Sequence, residues 1–105
     1  MIKYIVTAAV ALLATPAFGQ QQDICGGIGE LAQEVLTQRY DGVPMSRQIA
    51  IINDAVEPGD LQDLIRFVIW QAYNEPLDRR IRASHVAAFR NRWEVACYEA
   101  KGDMT

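Results

Sequence analysis

Few residues in this chain are suited to chemistry, and each scarcity removes a class of activity. One histidine, His85, and two cysteines, Cys25 and Cys97, stand in 105 residues. A metal centre needs three or four converging ligands, and these residues do not supply them. No C-x-x-C pair is present, which excludes a dithiol redox motif, and no C-x-x-C-H, which excludes haem attachment. No Gly-x-Ser-x-Gly elbow occurs, and Ser84 and His85, adjacent on a helix, point about 100° apart and cannot share a proton there. Nothing in the chain calls for a cofactor. A net charge of -3 and a pI near 5.0 give phosphate no general attraction, so nucleic acid is not an expected partner. Half the residues are apolar, too many for a disordered tail, and the length allows one domain.

What is present begins with an export signal. Lys3, the apolar run from Tyr4 to Ala14, and the small-residue end Thr15-Pro16-Ala17-Phe18-Gly19 form the three parts of a signal peptide over residues 1–19, with cleavage before Gln20. The run is too short to cross a bilayer, which takes about 20 apolar residues, and Pro16 breaks it. Cys25 follows Gln21-Gln22-Asp23-Ile24, which is no lipid-attachment context. The mature domain, residues 20–105, is therefore expected in the periplasm or outside the cell, with no stable membrane anchor. In that compartment two thiols form a disulfide, here Cys25 to Cys97.

Along the mature chain apolar residues recur at steps of three and four, never in sustained alternation, so the expected fold is all-α: a small four-helix bundle stapled by one disulfide. Ile24, Ile28, Leu31 and Val35 mark the stripe of a first helix ending near Tyr40, with Cys25 at the edge of that stripe. A second helix follows Pro44-Met45 with Ser46 as its cap and carries Ile49, Ile52 and Val56 inward. Asp60 is expected to cap a third, which is apolar nearly all round from Leu61 to Tyr73 and stops at Asn74-Glu75-Pro76. The last spans about Asp78 to Ala100, with Val86, Phe89, Trp93, Ala96 and Cys97 inward, and stops at Lys101-Gly102. Trp70, Tyr73, Phe89 and Trp93 fit core positions. Tyr40, Phe67 and Tyr98 fit them less well.

The charges are unevenly spread. Lys101 is the only lysine of the mature domain, against eight arginines. From Asp23 to Asp63 the balance is -6; from Leu64 to Thr105 it is +2. The last helix either offers a basic surface or neutralises the acidic first half by packing beside it, and the spread of its arginines around the helix favours neutralisation. His85, at the edge of the core face, is expected to be structural. Glu30 and Glu34 share a helix face and read as solvated surface. Aromatic and arginine residues dominate binding hot spots, so the candidate protein-binding residues are Phe67, Trp70, Arg79, Arg82 and Arg90.

The run Cys25, Gly29-Glu30-Leu31-Ala32, Arg39, Gly42-Val43-Pro44-Met45-Ser46, Ala72-Tyr73, Pro76, Phe89 and Cys97-Tyr98 resembles small uncharacterised exported proteins encoded in bacterial and bacteriophage genomes. The resemblance implies the compartment and the disulfide, and no catalytic residue. In size, helix content and single long-range disulfide the chain is also similar to periplasmic acid-stress chaperones of enteric bacteria, from which it departs in its arginine richness and cysteine spacing. The expected function is non-enzymatic binding or modulation of an envelope or secreted protein. The alternative is a holdase chaperone activated by acid.

Overall fold

The computed structural model describes residues 23–102, so the signal peptide expected at residues 1–19 lies outside the described residues. Four α-helices follow in order: α1, Ile24–Tyr40; α2, Met45–Ala55; α3, Asp60–Asn74; and α4, Arg82–Lys101, entered through a 3-10 turn at Arg79–Ile81. No strand occurs among the described residues. The all-α bundle expected from apolar spacing is thus present.

Its layout is a row rather than a square. α1 packs along α4 and also on α3, and α2 packs on the side of α3. The core is built from one face of α1 (Ala32, Val35, Leu36, Tyr40), one face of α3 (Ile65, Val68, Ile69, Ala72) and Phe89 of α4. Ile49, Ile52 and Val56 of the α2 segment pack against its edge. At Gly29 a Cβ would run into the Glu94 side chain of α4, so the missing side chain makes room for Glu94 in the α1–α4 seam.

Several details differ from the sequence expectation. The α1 stripe is rotated, so Ile24 is exposed while Cys25 is fully buried and Tyr40 belongs to the core. Burying Cys25 follows from its bond to Cys97, whose Cα lies 5.4 Å away, in the ordinary range for a bridge. Asp23 caps α1 by accepting the Gly26 N–H at 3.1 Å. Pro44, not Ser46, holds the cap position of α2, because its fixed φ suits the entry and it has no N–H to leave unpaired. Gly59, not Asp60, precedes α3, at a φ of 152° that side chains rarely adopt; Asp60 and Asp63 fall inside the first turn, where the helix dipole favours them. Asp78 caps the 3-10 turn through the Arg80 N–H, and the α-helix proper begins only at Arg82. Ala96 is exposed, since α4 meets the rest of the molecule along a narrow stripe and of its residues only Phe89 is fully buried. Trp70, placed in the core by spacing, is 49% exposed.

The disulfide joins positions 72 apart in sequence, a long loop for so small a domain. In the chain-entropy model such closure stabilises by about 4 kcal/mol, against a total of several kcal/mol for a domain of this size. Replacing Cys25 and Cys97 together by Ser is expected to remove most of that, seen as a large fall in the urea midpoint. An unchanged midpoint would show that the helices hold without the staple.

Candidate functional site

Three helix ends are closed by side chains from other elements. The last carbonyls of α3 receive Arg39, whose Nη1 donates to Ala72 O at 2.7 Å and Glu75 O at 2.6 Å, with the guanidinium over the Tyr73 ring. The Tyr40 carbonyl ending α1 receives Arg79 Nη1 at 2.9 Å. The Val56 carbonyl beyond α2 receives Gln62 Nε2 at 2.8 Å. The Glu75, Tyr40 and Val56 carbonyls have no backbone partner among the described residues, and Ala72 O gains a second donor beside the Glu75 N–H at 3.4 Å.

At the end of the molecule where α1 finishes, four side chains form a chain of hydrogen bonds. The Asp78 N–H donates to Tyr40 Oη at 3.1 Å, and the Tyr40 hydroxyl lies 2.5 Å from His85 Nδ1. His85 Nε2 lies 2.9 Å from Glu75 Oε1, and Arg92 donates to Glu75 Oε2 at 2.7 Å. A carboxylate accepts only, so the network assigns the proton of neutral His85 to Nε2 and lets the Tyr40 O–H donate to Nδ1. The order hydroxyl, imidazole, carboxylate is that of a nucleophile with its base and orienter. Tyr40, however, is 1% exposed and its hydroxyl is bonded to the Asp78 backbone and His85, which leaves no face for a substrate. The junction ties the α3–α4 connection to the end of α1. His85 is 13% and Glu75 15% exposed, in line with a structural histidine. Ser84 takes no part: its hydroxyl donates to Ile81 O.

A second buried network surrounds Gln48. Its Nε2 donates to Val35 O and to the Tyr73 hydroxyl, which in turn donates to Val43 O. Among the described residues no group of three or more His, Cys, Asp or Glu side chains is placed to hold a metal ion.

The five candidate binding residues divide in two. Arg79 is bound to Tyr40 O; Arg82 reaches Asp41 at 2.7 Å and lies over the Tyr40 ring; Arg90 reaches Glu94 at 2.9 Å and Gln33 at 2.8 Å. All three are engaged within the chain, but only Arg82 pairs with an acid of the first half; Arg79 holds a backbone carbonyl, and Arg90 an acid of its own helix. Phe67 and Trp70 are 48% and 49% exposed, with their rings stacked 6.0 Å apart. The edge of Trp93 covers one side of Phe67, leaving Trp70 outermost. With Met45, Ile49, Asp63 and Arg66 they line an open groove of about 370 Å³ between α2 and α3. Leu61 and Leu64, also exposed, extend the apolar ridge toward the start of α3. Sequence reasoning missed Tyr40, Gln48 and Glu75. The two leucines stood out only as part of an apolar helix. Compared with known proteins, the chain matches no protein-family model, no curated protein and no solved structure.

Two outcomes follow from the junction. Tyr40→Phe leaves the Asp78 N–H and His85 Nδ1 without a partner and is expected to cost about 1–3 kcal/mol, read from urea unfolding; no loss would show that the hydroxyl bonds are dispensable. The Arg80 guanidinium and its backbone N–H hold the Asp78 carboxyl below its ordinary value of 3.8. A folded value below the unfolded one adds stability that is complete above 3.8 and lost as pH falls through the lowered value. A carboxyl chemical-shift titration is expected to place the Asp78 midpoint below 3.8 in the native chain and to move it upward in Arg80→Ala, only part of the way because the backbone N–H of residue 80 still bonds the carboxyl.

Proposed function

We propose that this protein is an exported, non-enzymatic binding module, a disulfide-stapled helical domain that acts on another envelope or extracellular protein through the outer face of α3. The carrying observation is the stacked, half-exposed Phe67–Trp70 pair on a ridge with Leu61 and Leu64. Contiguous exposed apolar surface of this kind marks interaction sites, and aromatic side chains supply most of the energy in them. Export is supported by the signal-like first 19 residues and by the disulfide geometry of Cys25 and Cys97, which suits an oxidising compartment. Because Arg79, Arg82 and Arg90 already hold internal partners, the contact is assigned to Phe67 and Trp70.

A second reading, an acid-activated holdase, is favoured by the ion pairs. Arg92–Glu75 and Arg82–Asp41 hold α4 to the neighbouring segments, and both ties are made to carboxylates. Capture from an envelope extract by the oxidised mature chain, at neutral pH and near pH 3, separates the two. One stoichiometric partner is expected at neutral pH, lost when Phe67 and Trp70 are both replaced by Ala. Many clients held only in acid would install the holdase reading, and capture unchanged by the double variant would remove α3 as the contact.

A further inference from the structure

The charges left over after folding identify the chemistry of a partner for α3, an inference that rests on the binding reading above. Six arginines, Arg39, Arg79, Arg80, Arg82, Arg90 and Arg92, hold carbonyls or carboxylates of the chain itself. Around the α3 ridge the balance is the reverse. Asp54, Glu57, Asp60 and Asp63 are exposed at the α2–α3 corner, and none of their carboxylates has a hydrogen bond or ion pair among the described residues. Asp60 and Asp63 share the outer face of α3 with Leu64, Phe67 and Trp70, at helical steps of three and four. The positive end of the α3 dipole, about half a charge, offsets only a part of this. Arg66 is the single base among the residues lining the groove, and Arg47 of α2 is the other arginine left without a carbonyl or carboxylate partner among the described residues. The surface is therefore apolar at its centre and acidic toward the start of α3.

We propose that the segment docking on α3 is a cationic amphipathic helix, seating large apolar side chains in the Phe67–Trp70 groove and placing Lys or Arg beside Asp60 and Asp63. A helix is the fitting shape, since the ridge Leu61, Leu64, Phe67, Trp70 advances in steps of three and offers the groove into which another helix's ridge packs. The described residues offer no strand edge for pairing with an extended peptide. The opposite charges on rim and ligand set specificity and speed of encounter, and the aromatic pair sets how long the complex lasts.

The test uses two synthetic amphipathic helices lacking tryptophan, one of Leu and Lys and one of Leu and Glu with the same apolar face, titrated into the oxidised mature chain. Tryptophan emission should shift to shorter wavelength and saturate with the Leu/Lys helix, a response absent from Trp70→Phe, which keeps Trp93, and should stay in place with the Leu/Glu helix. Asp60→Asn with Asp63→Asn is expected to weaken the Leu/Lys helix about tenfold, and Asp60→Glu with Asp63→Glu to restore it. Glu30→Gln with Glu99→Gln makes the same charge change on α1 and α4 and is expected to leave affinity within about twofold. Equal loss in the two neutralised variants would reduce the effect to overall acidity and overturn the proposal, as would no response to the Leu/Lys helix. Saturable binding of the Leu/Glu helix that depends on Phe67 and Trp70 would overturn the basic partner and leave α3 as a binding face.

Discussion

The seam between α1 and α4 is the constraint on which the rest of the molecule depends. The two helices run antiparallel and are fastened at both ends by different physics. At one end Cys25 and Cys97 are covalently joined; at the other Tyr40, His85 and Glu75 close a chain of hydrogen bonds. Between the clasps Gly29 admits the Glu94 side chain and Phe89 enters the core. α3 then lies against α1, its C-terminal carbonyls held by Arg39, and α2 rests on α3. α4 is committed to the seam and reaches the outer side of α3 through Trp93 beside Phe67, which leaves Phe67 and Trp70 half-exposed.

The shortage of lysine has a structural reason in the same frame. Arg39 bonds two carbonyls with one nitrogen while stacking on Tyr73, and Arg92 reaches Glu75 from over the Phe89 ring. A planar guanidinium with five donors can bond and stack at once; an ammonium on a flexible stem does neither so well. Most of the arginines act as internal fasteners, and the surface keeps the acids they leave over.

The helices were legible in the sequence because apolar spacing, Asp41-Gly42, Pro44, Pro58-Gly59, Pro76 and Gly102 are local signals. The cysteine pairing was legible because only one was possible. Cap positions slipped by one or two residues, since Ser46 and Asp60 suit both a cap and a first turn. Trp70 was misplaced for a different reason: in a helix apolar on all sides, period alone cannot say which side is covered. Tyr40, Gln48 and Arg39 were invisible because side chains that reach distant carbonyls leave no mark in spacing. Of the candidate binding residues, the aromatic pair stands free and the arginines are already in use, a distinction that depends on which helix lies beside which.

The placement of α2 has a consequence for how the molecule moves. No ion pair or ring contact reaches it among the described residues; its ties are Gln48, the Val56 carbonyl on Gln62, and apolar contacts at the edge of the core. Local opening begins where tethers are fewest, and α2 carries fewer of them than the fastened seam. Met45 and Ile49 of α2 line the groove beside Phe67 and Trp70. One wall of the groove is thus the most lightly fastened helix of the domain, and Gln48 is the buried peg that keeps it in place.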